Sequence, residues 1–586
     1  MPDEFDILIK YGEIIDGTGA PGYKGDIAVK GEHITALGEI SSSAVEVIDA
    51  RGHIVSPGFI DVHNHGDLSI LYYPEAESFV KQGITTFVGG QCGSSPGPYQ
   101  NNIGSPWFYW DIYDEVAPYM YYSKWVIPRE DFNKKHKETY GWELDWNTLG
   151  EFFQKLEKNG ISPNYVPLVG HGDVRTLVMG PDYKRNTTKD EITELKKHVE
   201  QAMLDGCRGM SVGRDYDPGI YADLDELVAC AEIVSKYGGV YASHSLRTGH
   251  RKARKPGDNG QPKTIGVLEA IDVGRKANLP VQISHLGALY DVNPGDSELM
   301  KEASVKATLK IIDDAREEGL DINFDVIPNC ETGGIVTSPL LASRLAPWIK
   351  TSGGLEQFSK ALSMKDYRED IKNVLNSGKY YYFNPNLMKG WAKNTKIEAC
   401  LNKDYIGKTV AEVATNADID ELEALMEILC QDPETTATGS YSDPFILLQF
   451  YKHPEMMIGI DTFALDDKWQ IKHPPYYLPN QNSYGGFPRY LRKAVRESKT
   501  ISIEEAIRKI TSLPARKFKL EDRGILKPGA KADITIFNKE TVRDVGDQLK
   551  PRQYPEGIEH VLINGCPVVR DHKHTGALPG KILYRE

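Results

Sequence analysis

The chain has 586 residues, enough for a large α/β domain and a smaller one, and its 40% hydrophobic and 26% charged residues are ordinary for a globular protein. A formal net charge of −14 argues against nucleic-acid binding, because contact with phosphates needs a basic surface. With no apolar run near ~20 residues, no secretory signal and no CxxC spacing among seven cysteines, we expect a reduced, cytoplasmic protein without a membrane partner.

Short strands are predicted at both ends of the chain. Apolar, β-rich runs lie at 7–10, 26–29, 33–37, 532–537, 560–563 and 567–569. The pair Asn564-Gly565 between two of these runs favours a type I′ hairpin. We therefore predict a small β-sandwich assembled from residues 1–57 and 523–586.

Two histidines follow the apolar run 54–60, in the segment Asp61-Val-His63-Asn-His65. Residues two apart on a strand project from the same side. One strand end can therefore present two nitrogen donors to a metal ion, and imidazole suits zinc. The alternative is a pair of polar residues on a surface strand.

The middle of the chain alternates strand-like and helix-like segments. The apolar strand candidates are 85–88, 165–169, 239–242, 281–284 and 322–324, and amphipathic stretches such as 190–204 and 225–236 lie between them. This alternation predicts a (β/α)8 TIM barrel over residues 58–522. Insertions are expected near 100–145 and 331–455. The first contains an aromatic-rich segment, 106–125, that either packs on the barrel or on another subunit, or forms a lid over the substrate pocket.

Further metal-ligand candidates follow these strands in chain order. They are Cys92, His244 and His285, and Asp461 closes a last apolar run. The C-terminal strand ends of a barrel converge on one mouth, where these side chains could share a metal. A metal ion lowers the pKa of a water molecule to about 7, and a carboxylate such as Asp461 can act as general base and pass the proton to a leaving nitrogen.

These motifs resemble the amidohydrolase superfamily, and more closely the D-aminoacylases. The resemblance rests on Ser56–His65, Gly90-Gln-Cys92-Gly93, Leu168–His171, Gly239–His244, Ile283–His285 and the C-terminal run 513–533. It implies a TIM barrel with a terminal β-sandwich and one or two zinc ions. One zinc would be held by Cys92, His244 and His285. The other would be held by His63, His65 and Asp461 with a shared Cys92, and Asp461 would be the catalytic acid/base.

The chain departs from the family where the substrate carboxylate is expected to bind. Gly287 replaces a lysine, Ile327-Pro-Asn329 replaces a Tyr-Pro-Tyr run, and Asn482 replaces an arginine. A neutral amide in place of an arginine loses both the charge and the fork geometry. Arg247 and Arg489 are candidates to compensate, and each also has a structural interpretation.

We predict a zinc-dependent hydrolase of a linear amide, most like N-acyl-D-amino acid deacylation, acting on a small-molecule substrate. His171 is a candidate for binding the carbonyl or the leaving group, with a structural role as the alternative. A cyclic amide or imide hydrolase of the hydantoinase or dihydroorotase kind is the second hypothesis, and a non-catalytic scaffold is the third. The sequence leaves a homo-oligomer open.

Overall fold

The computed structural model describes residues 4–104, 126–246, 263–290, 292, 295–329, 336–377, 390–439, 443–469 and 477–585. The strands are β1 (Phe5–Ile14), β2 (Tyr23–Lys30), β3 (His33–Gly38), β4 (Ala44–Asp49), β5 (Ile54–Pro57), β6 (Phe59–Asp61), β7 (Ile84–Gly89), β8 (Asn102–Ile103), β9 (Ile127–Pro128), β10 (Asn164–Pro167), β11 (Val169–Gly170), β12 (Gly209–Gly213), β13 (Val240–His244), β14 (Val281–Ile283), β15 (Ile322–Val326), β16 (Val336–Thr337), β17 (Thr395–Ala399), β18 (Thr436–Gly439), β19 (Met456–Ile458), β20 (Leu478–Pro479), β21 (Ile534–Phe537), β22 (Ile558–Ile563), β23 (Cys566–Arg570) and β24 (Lys573–His574).

The α-helices are α1 (Glu77–Val80), α2 (Arg129–Tyr140), α3 (Leu149–Asn159), α4 (His171–Met179), α5 (Lys189–Leu204), α6 (Leu224–Lys236), α7 (Thr264–Ala277), α8 (Glu298–Glu317), α9 (Ala346–Ser352), α10 (Leu355–Ala361), α11 (Lys365–Asn376), α12 (Val410–Ala417), α13 (Glu421–Gln431), α14 (Pro444–Tyr451), α15 (Asn482–Tyr490), α16 (Ile503–Ile510) and α17 (Ser512–Lys517). No helix of the described residues is long and apolar enough to cross a membrane.

Parallel strands form a closed barrel in the middle of the chain. Within the described residues it runs β6, β7, β10 continued by β11, β12, β13, β14, β15 and β19, each paired in parallel with the next. The backbone N–H of Val62 donates to the carbonyl of Ile458 at 3.4 Å, which brings the first strand to the last. These eight strand positions and the helices between them confirm the predicted (β/α)8 barrel.

The barrel strands are buried along their whole length, as a sheet covered on both faces requires. Every residue of β7, β12, β13 and β15 is buried. Two of the covering helices, α5 and α6, begin at side-chain caps. Thr188 and Glu191 form a reciprocal capping box on α5, and Asp223 accepts the N–H of Glu226 at the start of α6.

The strands of the two termini form one sheet. It contains β1 to β5 and β21 to β24, and β5 pairs antiparallel with β21. Asn564 and Gly565 both have positive φ, +48° and +75°, as a type I′ turn requires. The small β domain predicted from both ends of the chain is therefore confirmed.

The excursion between β15 and β19 is mainly helical. Its described part contains α9 to α13 and the antiparallel pair of β17 with β18, and it packs around a separate apolar core that includes Leu345, Phe358 and Leu425. The aromatic segment 106–125 of the other insertion lies outside the described residues. The strands on either side of it, β8 and β9, pair antiparallel with each other.

A buried polar network joins the terminal sheet to the barrel. Arg523 contacts the carboxylate of Asp533 and donates to Asn564 Oδ1 at 2.8 Å, and Asn164 of β10 donates to Asp533 Oδ2 at 3.0 Å. Arg523 and Asp533 are both buried. Removing one member of such a pair leaves the other charge unpaired in a place that water does not reach.

We therefore expect Arg523→Ala to lower the free energy of unfolding by about 3–5 kcal/mol, measured by urea unfolding. The control is Arg51→Ala, because Arg51 pairs with Asp49 on the surface and such pairs contribute about 0–1 kcal/mol. Equal shifts in the two unfolding midpoints would contradict a joining role for the buried network.

Candidate metal centre

The six candidate ligands lie together at the C-terminal mouth of the barrel, and all six are buried. They follow or end different strands: His63 and His65 come after β6, Cys92 after β7, His244 at the end of β13, His285 after β14, and Asp461 after β19. The prediction that His63 and His65 lie on the strand itself differs from the structure in one detail. Strand β6 ends at Asp61, whose carboxylate accepts the backbone N–H of His63 at 3.2 Å and of Ile460 at 3.1 Å, so the two histidines lie in the loop beyond the strand.

Cys92 occupies the middle of the cluster. Its Sγ lies 3.2 Å from His63 Nε2, 3.4 Å from His244 Nδ1 and 3.6 Å from His285 Nε2. Asp461 Oδ1 lies 3.4 Å from His63 Nε2 and 3.2 Å from His65 Nε2. The side chains thus form two groups that share Cys92, one with His63, His65 and Asp461 and one with His244 and His285.

These distances fit zinc. Zinc binds sulfur at about 2.3 Å and imidazole nitrogen at about 2.0–2.1 Å, so two ligands of one tetrahedral ion lie roughly 3.5 Å apart. The sulfur–nitrogen distances from Cys92 to His244 and His285, 3.4 and 3.6 Å, match that separation. A thiol, imidazoles and a carboxylate are also the ligand types that zinc prefers.

Three of the six residues have left-handed backbone conformations. Cys92, His285 and Asp461 have φ of +55°, +35° and +51°, which costs about 1–3 kcal/mol at a non-glycine residue. Hydrogen bonds hold two of them: His285 N–H donates to Asp325 Oδ2 at 2.8 Å, and Asp461 N–H donates to the His63 carbonyl at 2.9 Å. Backbone strain of this kind concentrates at functional sites.

Charged neighbours within the cluster shift the pKa values of the ligands in the direction opposite to the shift caused by burial. Burial raises the pKa of the Cys92 thiol, but His63 and His244 hold that pKa well below its usual value. Burial lowers the pKa of His65, but Asp461 and Cys92 raise it to about 9. Burial raises the pKa of Asp461, but His63 and His65 hold it below its ordinary value. Zinc is bound by the thiolate and by the neutral imidazole, so we expect zinc binding to release protons.

His171 is the first residue of α4, directly after β11, and it is buried against an acid. Its Nε2 lies 2.9 Å from Glu226 Oε1, which also accepts from Arg175 Nε at 2.9 Å, and Glu226 Oε2 accepts from Thr187 at 2.9 Å. This contact gives His171 a structural partner. Its role in binding the carbonyl or the leaving group stays a prediction.

The Glu226 cluster predicts a dependence of stability on pH. Burial raises the pKa of Glu226, but His171 and Arg175 lower it to about 2 from an ordinary 4.5. A depressed carboxyl pKa stabilises the fold above pH 4.5, and that contribution is lost as the pH falls from 4.5 to 2. Between pH 4.5 and 2 the free energy of unfolding of the wild type should therefore fall by about 3 kcal/mol through this group, and in Glu226→Gln that part of the fall should be absent. Urea unfolding at several pH values measures the difference. The control is Glu540→Gln, on the surface, which should keep the pH dependence of the wild type. If Glu226→Gln also kept that pH dependence, the acid-dependent loss of stability could not be assigned to Glu226.

The residues predicted to bind the substrate are placed differently from one another. Arg489 donates to Asp544 Oδ2 at 3.1 Å. Asn482 is buried at the start of α15, with neither side-chain amide atom hydrogen-bonded within the described part of the chain. A Cβ built on Gly287 meets no atom of the described residues within 4 Å. Arg247 lies outside the described residues.

The sequence did not predict all the residues next to the ligands, and two of these neighbours are Asp325 and Tyr216. Asp325 contacts His63 and the backbone of His285 from β15, and its signal was a charged residue in an apolar barrel strand. Tyr216 lies in the loop after β12, and its hydroxyl donates to the Cys92 carbonyl at 3.0 Å and lies 3.4 Å from His244 Nδ1. No sequence pattern distinguished this tyrosine from the chain's 30 others.

Comparison with known proteins agrees with this architecture. A model of the Amidohydrolase family matches residues 46–139 and 476–569. A D-aminoacylase of Alcaligenes xylosoxydans xylosoxydans is 27% identical, over 99% of this chain and 98% of its own. The crystal structure of N-acyl-D-glutamate deacylase from Bordetella bronchiseptica, complexed with zinc and a phosphonate that mimics the tetrahedral intermediate, is 25% identical, covers 100% of both chains and has a TM-score of 0.69. A D-hydantoinase from Thermus sp. is 13% identical, covers 99% of both chains and has a TM-score of 0.53, and shares the fold.

Proposed function

We propose that this chain, which belongs to the amidohydrolase superfamily, is a zinc-dependent enzyme that hydrolyses the amide bond of N-acyl-D-amino acids. The observation that carries the proposal is the buried cysteine at the centre of two ligand groups, 3.2–3.6 Å from three histidine nitrogens. Full-length similarity to a D-aminoacylase and an N-acyl-D-glutamate deacylase supports the choice of substrate class.

In this proposal Cys92, His244 and His285 would hold one zinc, and His63, His65 and Asp461, together with Cys92, would hold a second. When bound, zinc supplies a Lewis acid for the amide carbonyl and lowers the pKa of a water molecule to about 7. The buried thiol has to stay reduced for this purpose, which supports the proposed cytoplasmic location.

Asp461 moves the proton in this scheme. Its Oδ1 lies against His63 and His65, so Oδ2 is the atom proposed to accept a proton from the attacking water. The water oxygen bonds to the amide carbon, the carbon–nitrogen bond breaks, and Asp461 donates the same proton to the leaving nitrogen. The products are a carboxylic acid and a free amino acid.

A panel of amides tests the substrate class. The zinc-loaded protein would be assayed with N-acetyl-D- and N-acetyl-L-amino acids, uncharged N-acyl amines, hydantoin and dihydrouracil. The proposal expects the highest kcat/KM for an N-acetyl-D-amino acid and loss of that activity after chelation. Faster turnover of the cyclic amides would replace it with the cyclic-amide hypothesis, and no turnover of any amide would favour a scaffold.

Gly287 offers a way to alter substrate preference. Among the described residues nothing blocks a side chain at this position, and a lysine is expected there in the family. A hydrogen bond between charged groups contributes about 1.5–3 kcal/mol, so we expect Gly287→Lys to raise kcat/KM for substrates with a free carboxylate by about 10–100-fold relative to the matching primary amides. Gly287→Met is the control of similar length without charge. An equal change of the carboxylate-to-amide ratio in both variants would contradict a carboxylate site at this position.

A further inference from the structure

Two histidines of the cluster have a carboxylate on the side of the ring away from Cys92. His63 directs Nε2 to Cys92, and its Nδ1 lies 3.8 Å from Asp325 Oδ1. His244 directs Nδ1 to Cys92, and its Nε2 lies 3.8 Å from Asp215 Oδ2. A carboxylate that accepts the second ring N–H of a metal-binding histidine selects the tautomer, orients the ring and makes the ligating nitrogen more basic. At 3.8 Å the two carboxylates are close enough to attract the rings by charge but do not form hydrogen bonds with them.

Asp325 is held in place by the strand next to it. It is fully buried in β15, its Oδ1 accepts from Gln282 Nε2 at 2.8 Å, and its Oδ2 accepts the N–H of His285 at 2.8 Å. The approach to His63 depends on Gly459. A Cβ built at that residue would lie 2.4 Å from His63 Cβ and 3.0 Å from Asp325 Oδ2.

Asp215 is positioned separately, in the loop after β12, and is also buried. Its neighbour Arg214 donates to both carboxylate oxygens of Glu269, at 2.7 and 3.0 Å. The guanidinium is therefore bound to Glu269, while the carboxylate of Asp215 lies near His244. Asp325 lies in β15 and Asp215 lies in the loop after β12, and each is next to a histidine of a different ligand group.

We propose that Asp325 and Asp215 are positioning residues, each of which sets the affinity of a different zinc site. Asp325 orients His63 in the group with His65 and Asp461, and Asp215 orients His244 in the group with His285. The inference rests on the zinc centre of the proposed function but not on its substrate. Substituting either carboxylate, neither of which is a zinc ligand, should therefore change the zinc affinity of one site and not of the other.

The test measures zinc affinity of the full chain by competition with a fluorescent chelator. The background His285→Ala retains the group of His63, His65 and Asp461, and the background His65→Ala retains the group of His244 and His285. In the first background we expect Asp325→Asn to weaken zinc binding about 10–100-fold and Asp215→Asn to change it less than about threefold. In the His65→Ala background we expect the reverse: Asp215→Asn should weaken zinc binding about 10–100-fold, and Asp325→Asn should change it less than about threefold. Asparagine retains an oxygen that can accept the backbone N–H of residue 285 in either background, so the weaker zinc binding can be assigned to His63 rather than to loss of this backbone hydrogen bond.

A second variant avoids dependence on the folding of Asp325→Asn. Gly459→Ala displaces His63 from Asp325 without altering either side chain, and it should weaken zinc selectively in the His285→Ala background. Metal-free unfolding midpoints close to those of each background would exclude a general structural effect. Equal losses in both backgrounds, or none, would overturn the inference while zinc binding by the wild type still stood. A wild-type chain that binds no zinc would overturn the zinc centre as well.

Discussion

Replacing Cys92 by alanine is expected to abolish zinc binding at both ligand groups and to lower kcat/KM by about 10³-fold or more. The sulfur belongs to both groups and lies within 3.6 Å of three histidine nitrogens. A catalytic metal contributes several kcal/mol of transition-state stabilisation, and each 1.36 kcal/mol is a factor of ten in rate. Zinc content by elemental analysis and kcat/KM for an N-acetyl-D-amino acid measure the two effects.

Cys207→Ala is the matched control. Cys207 is buried like Cys92, but burial raises the pKa of its thiol, and it belongs to neither ligand group. This variant should keep the zinc content and the activity of the wild type. A Cys92→Ala protein that retained its zinc would show that the histidines and Asp461 bind metal without the thiolate.

Changing Asp461 to asparagine is expected to lower kcat by about 10²–10⁴-fold. The amide side chain has nearly the same shape but cannot accept a proton from water. The zinc held by Cys92, His244 and His285 should remain, because Asp461 lies in the other group. Steady-state kinetics with zinc analysis of the same sample separates the loss of the proton carrier from a loss of metal.

The control for this change is Asp190→Asn, at the exposed start of α5, which should leave kcat unaltered. If Asp461→Asn kept wild-type kcat, another group would have to carry the proton. If it lost all zinc, Asp461 would be needed to assemble the whole centre rather than one half of it.

The barrel and the location of its mouth could be predicted because the signal is repeated. Each of the apolar runs before Cys92, His244, His285 and Asp461 is short, buried and bounded by helix or loop. In a parallel barrel such runs must end on the same side. The terminal sheet could be predicted for a similar reason, because apolar runs recur at both ends of the chain and Asn564-Gly565 between two of them favours a hairpin turn.

The finer geometry could not be predicted, because it depends on contacts between distant strands. The left-handed φ of His285 and Asp461 is held by Asp325 and by the carbonyl of His63, respectively. The end of β6 at Asp61 depends on the backbone N–H of Ile460, almost 400 residues later. For the same reason Asp325 and Asp215 became visible as neighbours of the ligands only in the folded chain.

The measurement that tests the central claim most directly is zinc-edge X-ray absorption of the zinc-loaded wild type. A centre built around Cys92 predicts a sulfur neighbour at about 2.3 Å, together with nitrogen or oxygen neighbours at about 2.0–2.2 Å. The sulfur signal should disappear in any zinc retained by Cys92→Ala. A wild-type spectrum with nitrogen and oxygen neighbours alone would contradict the cysteine-centred site.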